Sequence, residues 1–115
     1  MRLALLLSLL CVRSFAADGT DVIVFEAKQN LSHPSVRIPS LLRTQKGTLL
    51  AVAEGRDKPT DQAGNDLVIS FSKDEGATWS KPRIAYEQGA DSCNNPCLVQ
   101  EAKSGRIFLF YQVFP

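Results

Sequence analysis

The sequence predicts an all-β fold built from four-stranded units, and three observations predict it. Beyond its first residues the chain is a succession of short β-branched and aromatic runs divided by Gly, Pro, Asn, Asp and Ser. No stretch shows apolar spacing of helical period over several turns. Four of the runs, from Val36 to about Tyr86, make a unit of roughly 50 residues, the size of one propeller blade, and a second unit begins near Asn95.

In chain order the expected strands are Asp21 to Phe25, Val36 to Leu42, Thr48 to Glu54, Asp66 to Ser72, about Arg83 to Tyr86, Cys97 to Gln100 and Ile107 to Val113. Gln45-Lys46-Gly47 and Lys103-Ser104-Gly105 are the turns that join two of these pairs as hairpins. A lone blade has two apolar faces, each covered by a neighbouring blade in a complete propeller, and about one and a half blades cannot supply that cover. The chain therefore reads as the opening part of a longer propeller, and in isolation it is expected to self-associate or fold poorly.

Met1-Arg2, the apolar run Leu3 to Val12 and the small residues up to Ala16-Ala17 have the build of a secretory signal peptide, cleaved after Ala16 or Ala17. Residues 1–16 are thus expected to leave, and 17–115 to form the propeller segment, secreted or periplasmic. A spanning helix needs about 20 apolar residues, and Arg13 ends this run well before that. Leu9-Leu10 before Cys11 is a poor match for a lipoprotein site, so no membrane anchor is expected. The leader takes with it two of the 13 basic residues and none of the 12 acidic ones, leaving a net charge of about −1. No basic patch stands out, which argues against nucleic acid, since phosphate binding needs clustered Lys and Arg.

Two cysteines remain, Cys93 and Cys97, spaced C-x-x-x-C. In an oxidising compartment a short disulfide is the plain reading, with free thiols as the alternative. A zinc site needs two further ligands, and His33 is the sole histidine, so no metal is expected.

Ser72-Lys73-Asp74-Glu75-Gly76-Ala77-Thr78-Trp79 has the form S-x-D-x-G-x-T-W at the end of a strand. Each fixed type has a mechanical use there. Asp74 can accept N–H groups across the turn, Gly76 permits positive φ, Thr78 can close the loop through its hydroxyl, and Trp79 caps the apolar layer. Asp74 is read as structural, and Glu75 as a solvated charge.

This box resembles the Asp boxes, or BNR repeats, of the six-bladed sialidase propellers and of other secreted propellers. Val36-Arg37-Ile38-Pro39-Ser40-Leu41-Leu42, followed by Gly47 to Arg56 with Ala53-Glu54-Gly55-Arg56 at its end, narrows the likeness: it looks like the first strand pair of a sialidase active-site blade. The resemblance implies that Arg37 is one of three arginines binding the sugar acid's carboxylate, a task suited to a planar guanidinium that forms two parallel bonds. It implies that Arg56 lies beside the sugar ring, and that Asp61 protonates the leaving oxygen. That chemistry needs a carboxyl group protonated at the start and basic afterwards. Asp57 and Asp66 compete for the role, with Asp66 next in line.

Where better-known sialidases carry an Asp-Pro pair that touches the N-acyl group, this chain has Asn95-Pro96. An amide can accept an acyl N–H but brings no charge, so acyl preference is left open. The two other carboxylate-binding arginines, the tyrosine nucleophile and its glutamate partner are expected outside these residues, and neither Tyr86 nor Tyr111 is read as the nucleophile. The resemblance implies a retaining exo-sialidase without cofactor, acting on sialylated glycoconjugates through a tyrosine nucleophile. A non-catalytic sugar-binding propeller and a hydrolase for another acidic sugar are the rival readings.

Overall fold

The computed structural model describes residues 21–28 and 31–115; the leader read from the sequence lies outside them. Among these residues six strands form: β1 (Ser35–Arg43), β2 (Leu49–Arg56), β3 (Asp66–Ser72), β4 (Arg83–Tyr86), β5 (Ser92–Gln100) and β6 (Ile107–Phe114). The first four make one antiparallel sheet in the order β1-β2-β3-β4, and β5 pairs with β6 in a second. Each hairpin turn that the sequence predicts carries a glycine at positive φ, Gly47 at 85° and Gly105 at 71°.

Two faces of the first sheet are covered by different things. Val52 and Leu67 look toward the second sheet, where they meet Cys93 with Leu98, Leu109 and Tyr111 packed around them. Ala53 and Val68, one residue on in each strand, face the other way and pack with Leu31, Phe25 and Val36. Because both faces are occupied, β2 is buried from Ala51 to Arg56, and the alternation puts Glu54 and Arg56 on Val52's side and Gly55 on Ala53's. His33 closes the Ala53 side: its ring lies so near Gly55 that a Cβ there would meet Nδ1 at 2.7 Å.

The segment Asp21 to Phe25, expected as a strand, is not one. Phe25 packs on the apolar face of the sheet, and after it an isolated bridge joins Ala27 to Leu31 and the Lys28 N–H donates to the His33 carbonyl. The strand expected from Cys97 begins earlier, at Ser92.

That early start depends on a bulge. Between Asn94 and Cys97 the register on β6 advances from Gln112 to Phe110, so β5 carries one extra residue. β1 has the same device: Arg37 pairs with Glu54 and Ser40 with Val52. In both bulges a residue at φ 53° precedes a proline, Ile38 before Pro39 and Asn95 before Pro96. Proline lacks the N–H a ladder needs, and a bulge is where a strand can place it. For a β-branched residue such as Ile38 that conformation costs on the order of 1–3 kcal/mol.

Candidate active site

Arg56, at the C-terminal end of β2, has its side chain 1 % exposed and directed toward the second sheet's side. A buried guanidinium must be paired, and this one is. Its Nε donates to Glu54 Oε2 at 2.7 Å, a second nitrogen contacts the same oxygen, and its remaining arm donates to Asp61 Oδ1 at 2.8 Å and to the Thr60 carbonyl at 2.9 Å. Burial works against the charge, but the bonds to Asp61 and Glu54 outweigh it and raise the Arg56 pKa.

Asp61 sits in the loop between β2 and β3, its side chain 82 % exposed. The main chain beneath it is held firmly. Its carbonyl accepts from the Asn65 amide at 2.8 Å and from the Asn94 amide at 2.7 Å. Asn65 also donates to Asn94 Oδ1 at 3.2 Å, and Ser92 Oγ accepts the N–H groups of Ala63 and Gly64. Asn94 and Ser92 belong to β5, so the second sheet fixes a loop of the first. Thr60, Asp61, Gln62, Asn94 and Phe114 line an open pocket of about 600 Å³ at this place.

Asn95 itself is exposed, and its side chain donates to Gln112 Oε1 at 2.7 Å. Its backbone N–H, freed from the ladder by the bulge, donates to Glu54 Oε1 at 2.7 Å. Arg37 is exposed, stands opposite Glu54 in the β1–β2 ladder, and forms no ion pair among the described residues. The structure thus joins Arg56, Asp61 and Asn95 in one connected set, with Arg37 on the strand alongside and its guanidinium uncommitted.

The runner-up acid is turned away. Asp66 pairs with Gly55, so it projects on the opposite face of the sheet, where His33 Nε2 lies 2.9 Å from its Oδ2. Asp57 is exposed and forms no ion pair among the described residues.

The expected disulfide does not form: Cys93 and Cys97 are both free, the first buried and the second exposed. Both lie on β5, where four residues of strand span about 13 Å, well beyond the roughly 7 Å that a disulfide tolerates between Cα atoms. The bulge between them also turns their side chains to opposite faces. Burial, with the charges of Asp66 and Asp91, pushes the Cys93 thiol's pKa up.

The box after β3 closes on itself. Asp74 accepts from the hydroxyl and N–H of Thr78 and from the Ser72 hydroxyl, the Thr78 N–H lying 2.9 Å and the Ser72 Oγ 2.7 Å from Oδ1. These bonds, the Thr78 hydroxyl first, bring the Asp74 pKa down to about 2. Gly76 at φ 96° donates to Ser72 Oγ at 2.8 Å. Trp79, half-buried, donates to the Gly76 carbonyl at 3.0 Å and lies outside both apolar clusters, so it ties the turn rather than capping the core.

Sequence reasoning missed Glu54, Asn65 and Asn94. Glu54 had a legible signal: a carboxylate two residues before Arg56, on the same face of an otherwise apolar strand. Asn94 had none, because its part depends on where the second sheet lands. Among the described residues no group of three or more His, Cys, Asp or Glu gathers to hold a metal.

Comparison with known proteins places this geometry among relatives. Residues 21–115 match the BNR repeat-like domain. The chain is similar to the anhydrosialidase of Macrobdella decora, 30% identical over 103 residues, which covers 69% of this chain and 14% of the relative. It is also similar to sialidase-2 of Rattus norvegicus, 32% identical over 98 residues, covering 76% of this chain and 26% of that protein. Its fold matches that of the NanB sialidase of Streptococcus pneumoniae with a TM-score of 0.72 at 24% identity, over 82% of this chain and 18% of that one. The chain therefore spans about a quarter or less of the relatives it matches.

Proposed function

The chain belongs to the sialidase-type BNR-repeat family, and from that premise we propose that its strands form part of a retaining exo-sialidase that removes terminal sialic acid from glycoconjugates. The observation that carries the reading is the pairing of a buried, fully committed Arg56 with an exposed Asp61 at the pocket. A group that must give and take a proton has to reach the substrate, yet its backbone must not wander, and the Asn65 and Asn94 bonds meet the second need.

In this proposal Arg37 binds the substrate carboxylate with a guanidinium that forms no ion pair among the described residues, and Asp61 protonates the leaving oxygen and then activates water. Arg56 holds Asp61 on the pocket side. The tyrosine nucleophile, its glutamate partner and two further arginines come from strands outside this chain, and a neutral attacker suits a substrate that is itself an anion. Residues 1–16 act as a cleaved secretory leader, which places the protein outside the cell or in the periplasm, and no organic cofactor or metal takes part.

The test is Asp61→Asn in the complete propeller, followed in single turnovers on two sialosides. With a poor leaving group the bond-breaking step should slow by about 10²–10⁴-fold. An activated aryl leaving group needs little protonation and should lose far less. Equal losses on both would remove Asp61 from the role of acid. Arg37→Ala should weaken binding on both substrates alike, by roughly 30- to 150-fold for a lost charge-assisted bidentate contact. Sugar binding without turnover in the unmodified protein would instead favour a non-catalytic propeller.

A further inference from the structure

Glu54 is fully buried, and a buried carboxylate is retained only where its oxygens are matched. Here each oxygen has a different partner: Oε2 takes Arg56, and Oε1 takes the N–H of Asn95 on the next sheet. Asn95 offers that N–H because the bulge puts it at φ 53° before Pro96, out of the ladder with β6. The bonds close a ring. Glu54 binds Arg56, Arg56 binds the Asp61 carboxylate, the Asp61 carbonyl binds Asn94, and Asn94 leads directly to Asn95 and back to Glu54.

We propose that Glu54 is a positioning residue that sets the spacing between the loop bearing Asp61 and the bulge bearing Asn95, so that the proton-transferring end of the site and the end facing the sugar's acyl group are placed together. The two ends belong to different sheets. Apolar packing between those sheets is non-directional and permits small slides, whereas a charge-assisted bond from the Asn95 N–H to a carboxylate that Arg56 already holds on β2 does not. The substrate half of this statement rests on the proposed sialidase reading; the Glu54–Asn95 lock does not.

Glu54→Gln in the complete protein separates the possibilities. Glutamine keeps the shape, but its NH₂ group cannot accept a bond, so one of the two partners is released. The turnover number on a poor-leaving-group sialoside should fall by about 10- to 100-fold with a much smaller change in KM, since misplacement of about 1 Å costs that much. The ratio of kcat/KM between N-acetyl and N-glycolyl sialosides should shift by at least about threefold, because the bulge moves with the loop. A lower melting temperature with the turnover number and the N-acetyl to N-glycolyl ratio both unchanged would make Glu54 merely structural and overturn the proposal.

Hydrogen exchange at the Asn95 amide tests the lock without any activity. Slow exchange in the unmodified protein, lost in Glu54→Gln or in the milder Glu54→Asp, supports it; fast exchange in the unmodified protein overturns it, whether or not either variant folds. Protected exchange in a protein that cleaves no sialoside would leave the lock standing and sink the sialidase reading alone.

Discussion

Asp61 and Asp74 both follow strands of the same sheet, and they differ in that Asp61 also takes a partner from the second sheet. Asp74 is bound by Ser72 and Thr78, two and four residues away, so its turn is satisfied within itself. Asp61 is tied through its backbone to Asn94, thirty-three residues away, while its carboxylate, apart from one bond to Arg56, faces the pocket. The difference separates two uses of one residue type. A carboxylate bound by three donors of its own turn has little left to offer a ligand, whereas one whose main chain is held from the second sheet has its side chain available for chemistry.

Breaking the distant set should cost most. Arg56→Met strands the buried Glu54 carboxylate and releases Asp61, a loss of about 3–5 kcal/mol in denaturant unfolding of the complete protein; a loss below about 1 kcal/mol would mean that the Glu54–Arg56 pair holds little together. Asn94→Ala removes a bond to the Asp61 carbonyl and leaves buried Asn65 short of a partner, for about 1–3 kcal/mol. Limited proteolysis of the loop between β2 and β3 should then speed up, and unchanged cleavage would show that the loop is held by other means.

The self-contained turn should respond to acid. Asp74 has a folded pKa of about 2 against an ordinary 3.8, so its contribution is complete above about pH 4 and disappears as the pH falls through 2. Protection of the Thr78 amide, followed by NMR, should fade over that window, and fading already at pH 5 would contradict the assignment. Arg43→Ala should do least: its 3.4 Å contact with Glu75 is exposed on both sides, and a change above about 1 kcal/mol would be unexpected. Chemical labelling sharpens the contrast on β5, where Cys97 should alkylate in the folded protein and Cys93 only after unfolding.

The self-contained turn was legible in the sequence because every partner lies inside an eight-residue window. Strands β1 to β4 were legible for a similar reason, since alternating apolar residues and the glycine turn at Gly47 are local signals. Legibility fails where the cause is distant. Ser92-Cys93-Asn94-Asn95-Pro96 reads as a loop by composition, and becomes strand because a bulge absorbs Pro96 while Glu54 takes the Asn95 N–H. Asp21 to Phe25 reads as strand by composition, yet its residues up to Ile23 are exposed and Phe25 packs on a sheet face, not along an edge. The spacing of Cys93 and Cys97 suggests a bridge until both are seen to lie along one extended strand.

His33 has a consequence for how the site can tolerate change. Its ring presses on the backbone of Gly55, the single residue between Glu54 and Arg56, with no room for even a methyl group. It acts as a backstop: any side chain at position 55 has to push the ring out or drive β2 forward into the neighbouring sheet. The freedom to vary the pocket is therefore limited from behind, on the face of β2 opposite Glu54 and Arg56.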